Sequence, residues 1–458
     1  MDSFRILLTI LLLGSANSLI TTGMPLADGM DPLNPHLEPT IHISSNPNLY
    51  VSAENALFKN YFAGPQVIEV IVSDPDINRL DQAYGEPDVT INGKKLRMFQ
   101  NTDGNWYAYF AEVHQAMYAD ATQTNSSGKG LDFGQFCSAS SAINSVGVDF
   151  SETEGIAVAR HVSGASNGTN GHTFVGGICT GTSSGTLLNH VVRENKTLTH
   201  ANGAVKYGQL GIKDGNLWPI IQLYDFSSFP ATVVIQYNRA GGSQIVTLTF
   251  DRIPSNLIHA VAIRPYWPRG AQVQGDLLDP QLNIDPTDQD SWTWGASSKN
   301  NTLFYQAFDR NGNPDADGTP AMQNLIGNLT IFMFNHNGKL TETPQPQGVR
   351  VFSSQSNGIQ KLTPDNTLAP PNKGLLRTMS ISALSAPITL LEVQPNAGIF
   401  GDYDDGGIAD LVILNNAPRD KSFIETYNEV SYSIVVKFSD AKLTLGPVPN
   451  QTSQKMTR

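Results

Sequence analysis

The sequence predicts an all-β protein built from tandem β-sandwich modules with loop-rich insertions. One observation is an internal repeat: VIEVIVSDPDIN at 67–78 and AQVQGDLLDPQLN at 271–283 are apolar-rich strands that each run into Asp-Pro-x-(Ile/Leu)-Asn. The other is that short strand-like runs alternate with turn residues about every ten positions, while 3.6-residue periodicity is scarce. Turn chemistry explains each corner alone, but it does not explain their shared order of strand, turn and acids.

The first 45 residues carry export features. Residues 1–18 contain Arg5, an apolar run from Ile6 to Leu13 and a small-x-small site at 16–18, which predict a secretory signal peptide. A buried N-terminal helix is the alternative. The apolar run is too short to cross a bilayer, and we expect no transmembrane span elsewhere. Residues 19–45 are rich in Pro and Asn and are predicted to be an extended leader.

Residues 46–265 are predicted to form a first β-sandwich region with a Cys-containing insertion. The run NWYAYFAE at 105–112 alternates, which predicts that its tryptophan faces a core and that its tyrosines lie at an edge or interface. TVVIQY at 232–237 and QIVTLTF at 244–250 also alternate, and the glycine-containing link between them predicts a hairpin. The Gly-, Ser- and Thr-rich stretch 125–185 is predicted to be the insertion.

Residues 266–448 are predicted to form a second β-sandwich region, followed by a tail at 449–458. The runs 430–438 and 441–445 have the pattern of two paired strands. The stretch 341–373 is rich in Pro, Gln and Asn and is predicted to be a second insertion.

The composition favours an extracellular protein. Only 15% of the residues are charged, against roughly 25% in an average soluble domain, and Asn, Thr, Ser, Gln and Gly supply the remaining polarity. The net charge is -12. A chain without a basic footprint is not expected to bind nucleic acid, whereas it would attract small cations.

Two features fit export. The chain has two cysteines, Cys137 and Cys179, and an even pair in an exported protein favours one disulfide over a metal pair or two buried thiols. Candidate N-glycosylation sites, each followed by x-Ser/Thr, are Asn125, Asn167, Asn195, Asn300, Asn328 and Asn450.

Acids cluster after both corners and predict calcium binding, because calcium takes six to eight oxygen ligands from carboxylates and carbonyls. The candidate ligands are Asp74, Asp76, Asp279, Asp285, Asp288, Asp309, Asn311, Asn313, Asp315 and Asp317. The last five alternate as calcium loops do, but the stretch lacks the glutamate of an EF-hand. The alternative is a set of solvated acidic turns.

Long strings of the sequence also resemble those of a known family. They are NLYVSAENALFKNYFAGPQVIEVIVSDPDIN (48–78), GEPDVTINGKKLRM (85–98), DGNWYAYFAE (103–112), GLDFGQFCSA (130–139), WPIIQLYD (218–225), QLNIDPTDQDSWTWG (281–295), FDRNGNPDAD (308–317) and NAGIFGDYDD (396–405). Over about residues 45–440 the chain resembles the N-terminal portion of the S-layer proteins of ammonia-oxidising (thaumarchaeal) archaea. The resemblance implies immunoglobulin-like β-sandwich modules and an exported protein that assembles with itself into a surface lattice.

The expected function is therefore structural, at the extracellular cell surface. The partners would be further copies of the chain, an envelope anchor and small cations, with the acidic loops acting as a cation-selective sieve. A secreted adhesin or carbohydrate-binding protein is the alternative, with Trp106, Tyr107, Tyr109, Trp292 and Trp294 as a sugar-stacking platform. Gly-x-Ser-x-Gly at 181–185 matches a hydrolase elbow, but no α/β periodicity surrounds it. We expect no catalytic site.

Overall fold

The structure is a computed structural model. It describes residues 46–81, 84–122, 131, 133–140, 147–158, 218–287, 289–296, 303–309, 323–324, 329–334, 338, 340–345, 351–354, 358–362, 376–380, 388–402, 409 and 411–437. The predicted signal peptide, leader and tail lie outside these residues. None of the helices in the described residues combines the length and the apolar composition that a bilayer crossing requires.

Within the described residues, the first region consists mainly of strands, with a short α-helix and a 3₁₀ helix at Ser255–Leu257. The strands are β1 (Leu49–Val51), β2 (Tyr61–Phe62), β3 (Ile68–Val72), β4 (Asp88–Ile91), β5 (Lys94–Leu96), β6 (Phe99–Gln100), β7 (Trp106–Glu112), β8 (Gln135–Cys137), β9 (Gly155–Val158), β10 (Ile220–Tyr224), β11 (Ala231–Asn238) and β12 (Gln244–Phe250); the helix is α1 (Val113–Asp120). One sheet has the order β1-β3-β7-β10-β9-β8, with β6 on β7, and the other has the order β2-β12-β11-β4-β5.

The second region is also built from strands. They are β13 (His259–Ala262), β14 (Tyr266–Trp267), β15 (Gln272–Val273), β16 (Gly275–Leu278), β17 (Ser291–Ala296), β18 (Leu303–Asp309), β19 (Gln323–Asn324), β20 (Leu340–Gln345), β21 (Phe352–Ser354), β22 (Gly358–Leu362), β23 (Leu376–Ser380), β24 (Ile388–Glu392), β25 (Ile399–Gly401), β26 (Leu411–Ile413), β27 (Ser422–Tyr427) and β28 (Val430–Val436). The main sheet runs β13-β16-β25-β24-β17-β18-β20-β27-β28-β14, and smaller sheets are β15-β26-β21 and β22-β23. The predicted all-β class is confirmed.

Three strand pairings recur in both regions. The strand that leads into each corner, β3 or β16, pairs antiparallel with the first strand of its region, β1 or β13. The short strands β2 and β14 pair parallel with β12 and β28. These last two strands form antiparallel hairpins with β11 and β27. The chain therefore repeats a unit of strand pairings as well as a corner. Strand β13, which belongs to this unit, precedes residue 266, where the second region is predicted to start.

Aromatic rings join the two sheets of the first region. Phe62 of β2 makes an edge-on contact with Phe110 of β7, with ring centroids 6.3 Å apart, and lies 4.8 Å from the ring of Phe250. Phe226 packs against all three rings. Such aromatic pairs each contribute about 0.5–1.5 kcal/mol beyond area burial. The two sheets thus face each other across one core.

The predicted hairpin is confirmed, while the tyrosines of β7 are placed differently from the prediction. Strands β11 and β12 pair from Ala231↔Phe250 to Tyr237↔Gln244 and bury alternate residues. Strand β7 is buried at every position, including Tyr107 and Tyr109. It lies between β3 and β10 in the sheet, with both faces covered. Alternation in sequence cannot identify a strand that is covered on both faces.

The described parts of the predicted insertions include sheet strands. Strands β8 and β9 extend the first sheet beyond β10 and are almost wholly buried. Strand β20 lies between β18 and β27, in the middle of the second sheet. The Gly-, Ser- and Pro-rich composition of these stretches conceals the short runs that pair.

The two regions belong to one compact unit and contact each other closely. Gln66 donates a hydrogen bond from Nε2 to the Asn283 carbonyl (2.8 Å), and the Val67 N–H donates to the Ile284 carbonyl (3.1 Å). At Gly64, with φ +59°, an added Cβ would lie 2.2 Å from the carbonyl oxygen of Phe332. A side chain at that position would therefore separate the regions locally.

Candidate functional site

The two acidic corners have the same backbone turn. In each, the first aspartate accepts a hydrogen bond through Oδ1 from the N–H two residues on: Asp76 to Asp74 at 3.1 Å and Gln281 to Asp279 at 2.9 Å. This is the aspartate turn that mimics a backbone turn. In each, the N–H of the fourth corner residue donates to the aspartate carbonyl. The Asp-Pro-x-(Ile/Leu) order thus encodes the same corner twice.

A buried tyrosine closes each corner from a distant hairpin. Tyr237, at the end of β11, donates its hydroxyl hydrogen to Asp74 Oδ2 at 2.8 Å. Tyr427, at the end of β27, donates to Asp279 Oδ2 at 2.7 Å. Since β11 and β27 are equivalent strands of the repeated unit, both corners are tied to the same part of their regions.

A tryptophan completes each corner. The Trp106 indole Nε1–H donates to the Ile77 carbonyl at 3.1 Å, and that of Trp292 donates to the Leu282 carbonyl at 2.7 Å. Both rings are fully buried. Their burial, with that of Tyr107 and Tyr109, removes four of the five aromatics proposed as a sugar-stacking platform; the side chain of Trp294 lies outside the described residues.

The acids of the first corner have a basic partner. Arg239 lies 3.5 Å from both Asp74 Oδ2 and Asp76 Oδ2, and it also donates to Asn48 Oδ1. Asp74 is buried, whereas the side chain of Asp76 is 80% exposed. These contacts engage the Asp74 oxygens that a calcium ion would need.

The aspartate of the second corner is excluded from water. Asp279 is wholly buried, and burial raises the pKa of its carboxyl to about 7, against the opposing effect of its hydrogen bonds from Tyr427 and the Gln281 N–H. A carboxyl with that pKa is partly protonated near neutral pH.

Acids beyond the second corner hold the backbone. Asp290 Oδ2 accepts from the N–H groups of Ile284 (2.6 Å) and Asp285 (3.0 Å). Asp285 Oδ1 accepts from Thr287 N and Oγ1. Glu392 Oε2 accepts from Asp290 N and Oε1 from Gly398 N, and burial raises its pKa, with the charge of Asp285 adding to the rise. These described carboxylates act as turn and strand acceptors.

Several predicted ligands cannot be placed. Asp309 ends β18, but its side chain lies outside the described part of the chain. The other unplaced candidates are Asp288, Asn311, Asn313, Asp315 and Asp317, which all lie outside it. Calcium binding by this stretch stays a prediction.

The other predicted sites fall mostly on residues that are not described. Cys137 is buried in β8 and disulfide-bonded; Cys179, the chain's other cysteine, lies outside the described residues. So do Ser183 and all six candidate glycosylation sites, Asn125, Asn167, Asn195, Asn300, Asn328 and Asn450.

One cluster was not predicted from the sequence. Glu112, His114 and Asp225 bring ligand atoms within 4.8 Å of one another. Glu112 and His114 are two residues apart in the chain, but Asp225 is remote and follows a different strand. Spacing motifs such as His-Glu-x-x-His cannot detect such a set, because the pairing of two strands assembles it.

No family model matches the chain, and no curated protein matches it significantly.

Proposed function

We propose that this protein is a structural component of a cell-surface layer that assembles from copies of the chain. The observation that carries the proposal is the repeated unit: two regions with equivalent strand pairings, each closed by a Tyr–Asp–Trp corner, held against each other in one compact unit. A chain of this kind offers a stiff building block. Several segments of the sequence resemble archaeal S-layer proteins, and this resemblance is the reason for proposing that the protein lies in the cell envelope.

The modules are proposed to be immunoglobulin-like β-sandwiches. In the first region, β3 pairs with β7 in one sheet, while β4, β11 and β12 are neighbours in the facing sheet. Immunoglobulin-type sandwiches divide their strands between two sheets in a similar way. Strands β8, β9 and β10 extend this plan beyond such a core.

The disulfide supports the extracellular location. Cys137 lies at the described edge of the first sheet, in β8, and its bond would staple the Gly- and Ser-rich stretch to that sheet. Disulfides persist in oxidising compartments. The disulfide, the predicted signal peptide and the candidate glycosylation sites are all features expected of an exported protein.

Cation attraction is proposed as a secondary property. The exposed acids Asp76, Asp81 and Asp88 each lie within 4 Å of a basic side chain. Asp74, Asp279 and Asp285 are buried. A cation-selective sieve and bound calcium would therefore depend on the acid-rich stretch 288–317 and on the net charge of -12 rather than on the two corners.

Labelling and imaging of cells test the proposal. Antibody against the purified chain, applied as immunogold to intact cells that produce it, is expected to label the whole surface, and tomography of isolated envelopes is expected to show a periodic layer. Label confined to the cytoplasm, or a surface without periodicity, would overturn the proposal.

A variant pair tests the stiff-block argument. Gly64→Ala places a methyl group against the Phe332 carbonyl and is expected to reduce layer formation by the purified chain. Gly93→Ala is the matched control, because Gly93 also has positive φ (+79°) but has open space around its Cβ position. Equal assembly of both variants would show that contact between the regions is not needed.

A further inference from the structure

The cluster Glu112–His114–Asp225 lies where two parallel strands end. Strands β7 and β10 pair parallel, with Tyr224 opposite Glu112. Parallel strands finish at the same edge of a sheet, so the residues that follow them meet there. Glu112 ends β7 and caps α1, His114 is the second residue of α1, and Asp225 is the first residue after β10.

The two carboxylates of the cluster are oriented by backbone N–H groups. Glu112 caps α1: its Oε2 accepts from the Gln115 N–H at 2.7 Å, while its Oε1 lies 2.9 Å from His114 Nδ1. Asp225 Oδ1 accepts from the Ser227 N–H at 2.8 Å and lies 4.0 Å from the same Nδ1. Hydrogen bonds of this kind hold metal ligands in place.

The cluster combines burial with access. Glu112 is 1% exposed, while the side chains of His114 and Asp225 are about half exposed. A buried carboxylate is stabilised by a nearby cation. The open side would admit an ion together with water to complete its coordination.

We propose that Glu112, His114 and Asp225 bind a zinc ion. An imidazole nitrogen with two carboxylate oxygens is a ligand set that zinc accepts and calcium, which requires oxygen ligands, does not. Zinc ligands at about 2.0–2.1 Å in tetrahedral geometry lie roughly 3.3 Å apart. The observed separations of 2.9 and 4.0 Å bracket that value.

The ion would join the start of α1 to the loop after β10. It would replace the His114–Glu112 hydrogen bond with bonds to both residues and add Asp225. This inference does not depend on the proposed surface function, and loss of zinc binding would leave that proposal untouched.

Zinc titration of the tag-free, metal-stripped chain tests the site. Isothermal calorimetry is expected to show that the parent protein binds one equivalent of zinc. His114→Ala and Asp225→Asn are each expected to bind zinc at least about tenfold more weakly. Cobalt, as a spectroscopic probe, is expected to give visible absorption bands that both variants lose. Both side chains are half exposed, so the variants are expected to fold, and circular dichroism checks this.

His259→Ala is the matched control, because it removes a histidine from β13, far in sequence from the cluster, and is expected to bind zinc as the parent does. Equal zinc binding by the parent and His114→Ala would overturn the site. Absence of zinc binding by the parent, or displacement of zinc by an equal concentration of calcium, would also overturn it.

Discussion

The two corners of this protein share a backbone and differ in their electrostatics. In the first region, Asp74 receives the Tyr237 hydroxyl and also has Arg239 at 3.5 Å. In the second region, Asp279 receives the Tyr427 hydroxyl and is wholly buried, and no basic side chain in the described residues forms an ion pair with it. The same turn therefore forms both with a carboxylate that is paired with an arginine and with a carboxyl that is excluded from water.

The difference shows which parts of the corner are structural. The tyrosine, the tryptophan and the aspartate turn recur in both regions, while the arginine occurs in one. A hydrogen bond to a buried carboxyl is costly to remove, because the partner is left without its donor. An ion pair near the surface contributes little. The recurrent contacts are thus expected to dominate stability.

The largest expected effect comes from the tryptophans. Trp106→Ala and Trp292→Ala each remove a fully buried ring and a hydrogen bond, and each is expected to lower the free energy of unfolding by about 3–5 kcal/mol. Phe229→Ala, at a ring that is 48% exposed, is the control. Denaturant unfolding followed by circular dichroism measures all three. A cost near the control value for either tryptophan would break the equivalence of the corners.

Removal of the tyrosine hydroxyl is expected to destabilise the two corners to different extents. Tyr427→Phe leaves Asp279 buried without its donor and is expected to cost about 1–3 kcal/mol, whereas Tyr237→Phe is expected to cost about 1 kcal/mol because Arg239 still faces Asp74. Tyr266→Phe, at an exposed ring, serves as control. The same unfolding measurement applies, and a larger loss for Tyr237→Phe would contradict the ranking.

The pH dependence should come from the second corner. Burial raises the pKa of Asp279 to about 7, above the unfolded value of about 3.9, so the folded state retains a proton that the unfolded chain releases. The stabilising contribution of the Asp279 carboxyl is full below about pH 4 and is lost as pH rises to about 7. Over that range the free energy of unfolding falls by up to about 1.4 kcal/mol per pH unit.

Asp279→Asn tests this sign, because an amide can still accept from the Gln281 N–H. We expect a flatter fall in unfolding free energy between pH 4 and 7, with the remaining slope due to Glu392 and Glu425, whose pKa values burial also raises. Asp76→Asn is the exposed control. An Asp279→Asn profile parallel to that of the parent would show that this carboxyl does not carry the effect.

The smallest effect should be that of the arginine. Arg239→Gln removes a partly exposed ion pair with Asp74 and Asp76 and is expected to cost about 0.2–1 kcal/mol, less at high salt. Arg79→Gln, which breaks the exposed pair with Asp81, is the comparison and should have almost no effect. A salt-independent loss above that of Tyr427→Phe would reverse the order of contributions.

Much of the fold could be predicted where the pattern is local. The β11–β12 hairpin follows from alternation on either side of a glycine-containing link, and its bounds agree with the prediction within a residue or two. The repeat of Asp-Pro-x-(Ile/Leu)-Asn predicted a shared corner, because the turn uses hydrogen bonds between residues two and three apart. Strands β8, β9 and β20 were missed, since their composition resembles that of loops.

The candidate sites were less predictable, because burial decides them. The acids after the second corner predict calcium binding, and the sequence did not indicate that Asp279 accepts from a tyrosine of a distant strand. No sequence signal indicated that Asp225 would lie beside His114, since only the parallel pairing of β7 with β10 brings them together.

The sequence by itself determined the all-β class, the two acidic corners and the hairpin, because each depends on residues near one another in the chain. Only the tertiary structure decided that Tyr237 and Tyr427 close those corners. It also decided that one aspartate is paired with an arginine while the other is excluded from water, and that a Glu–His–Asp cluster forms at a sheet edge. Those properties depend on which distant strands pair and on how far water is excluded, and neither is a local property of the chain.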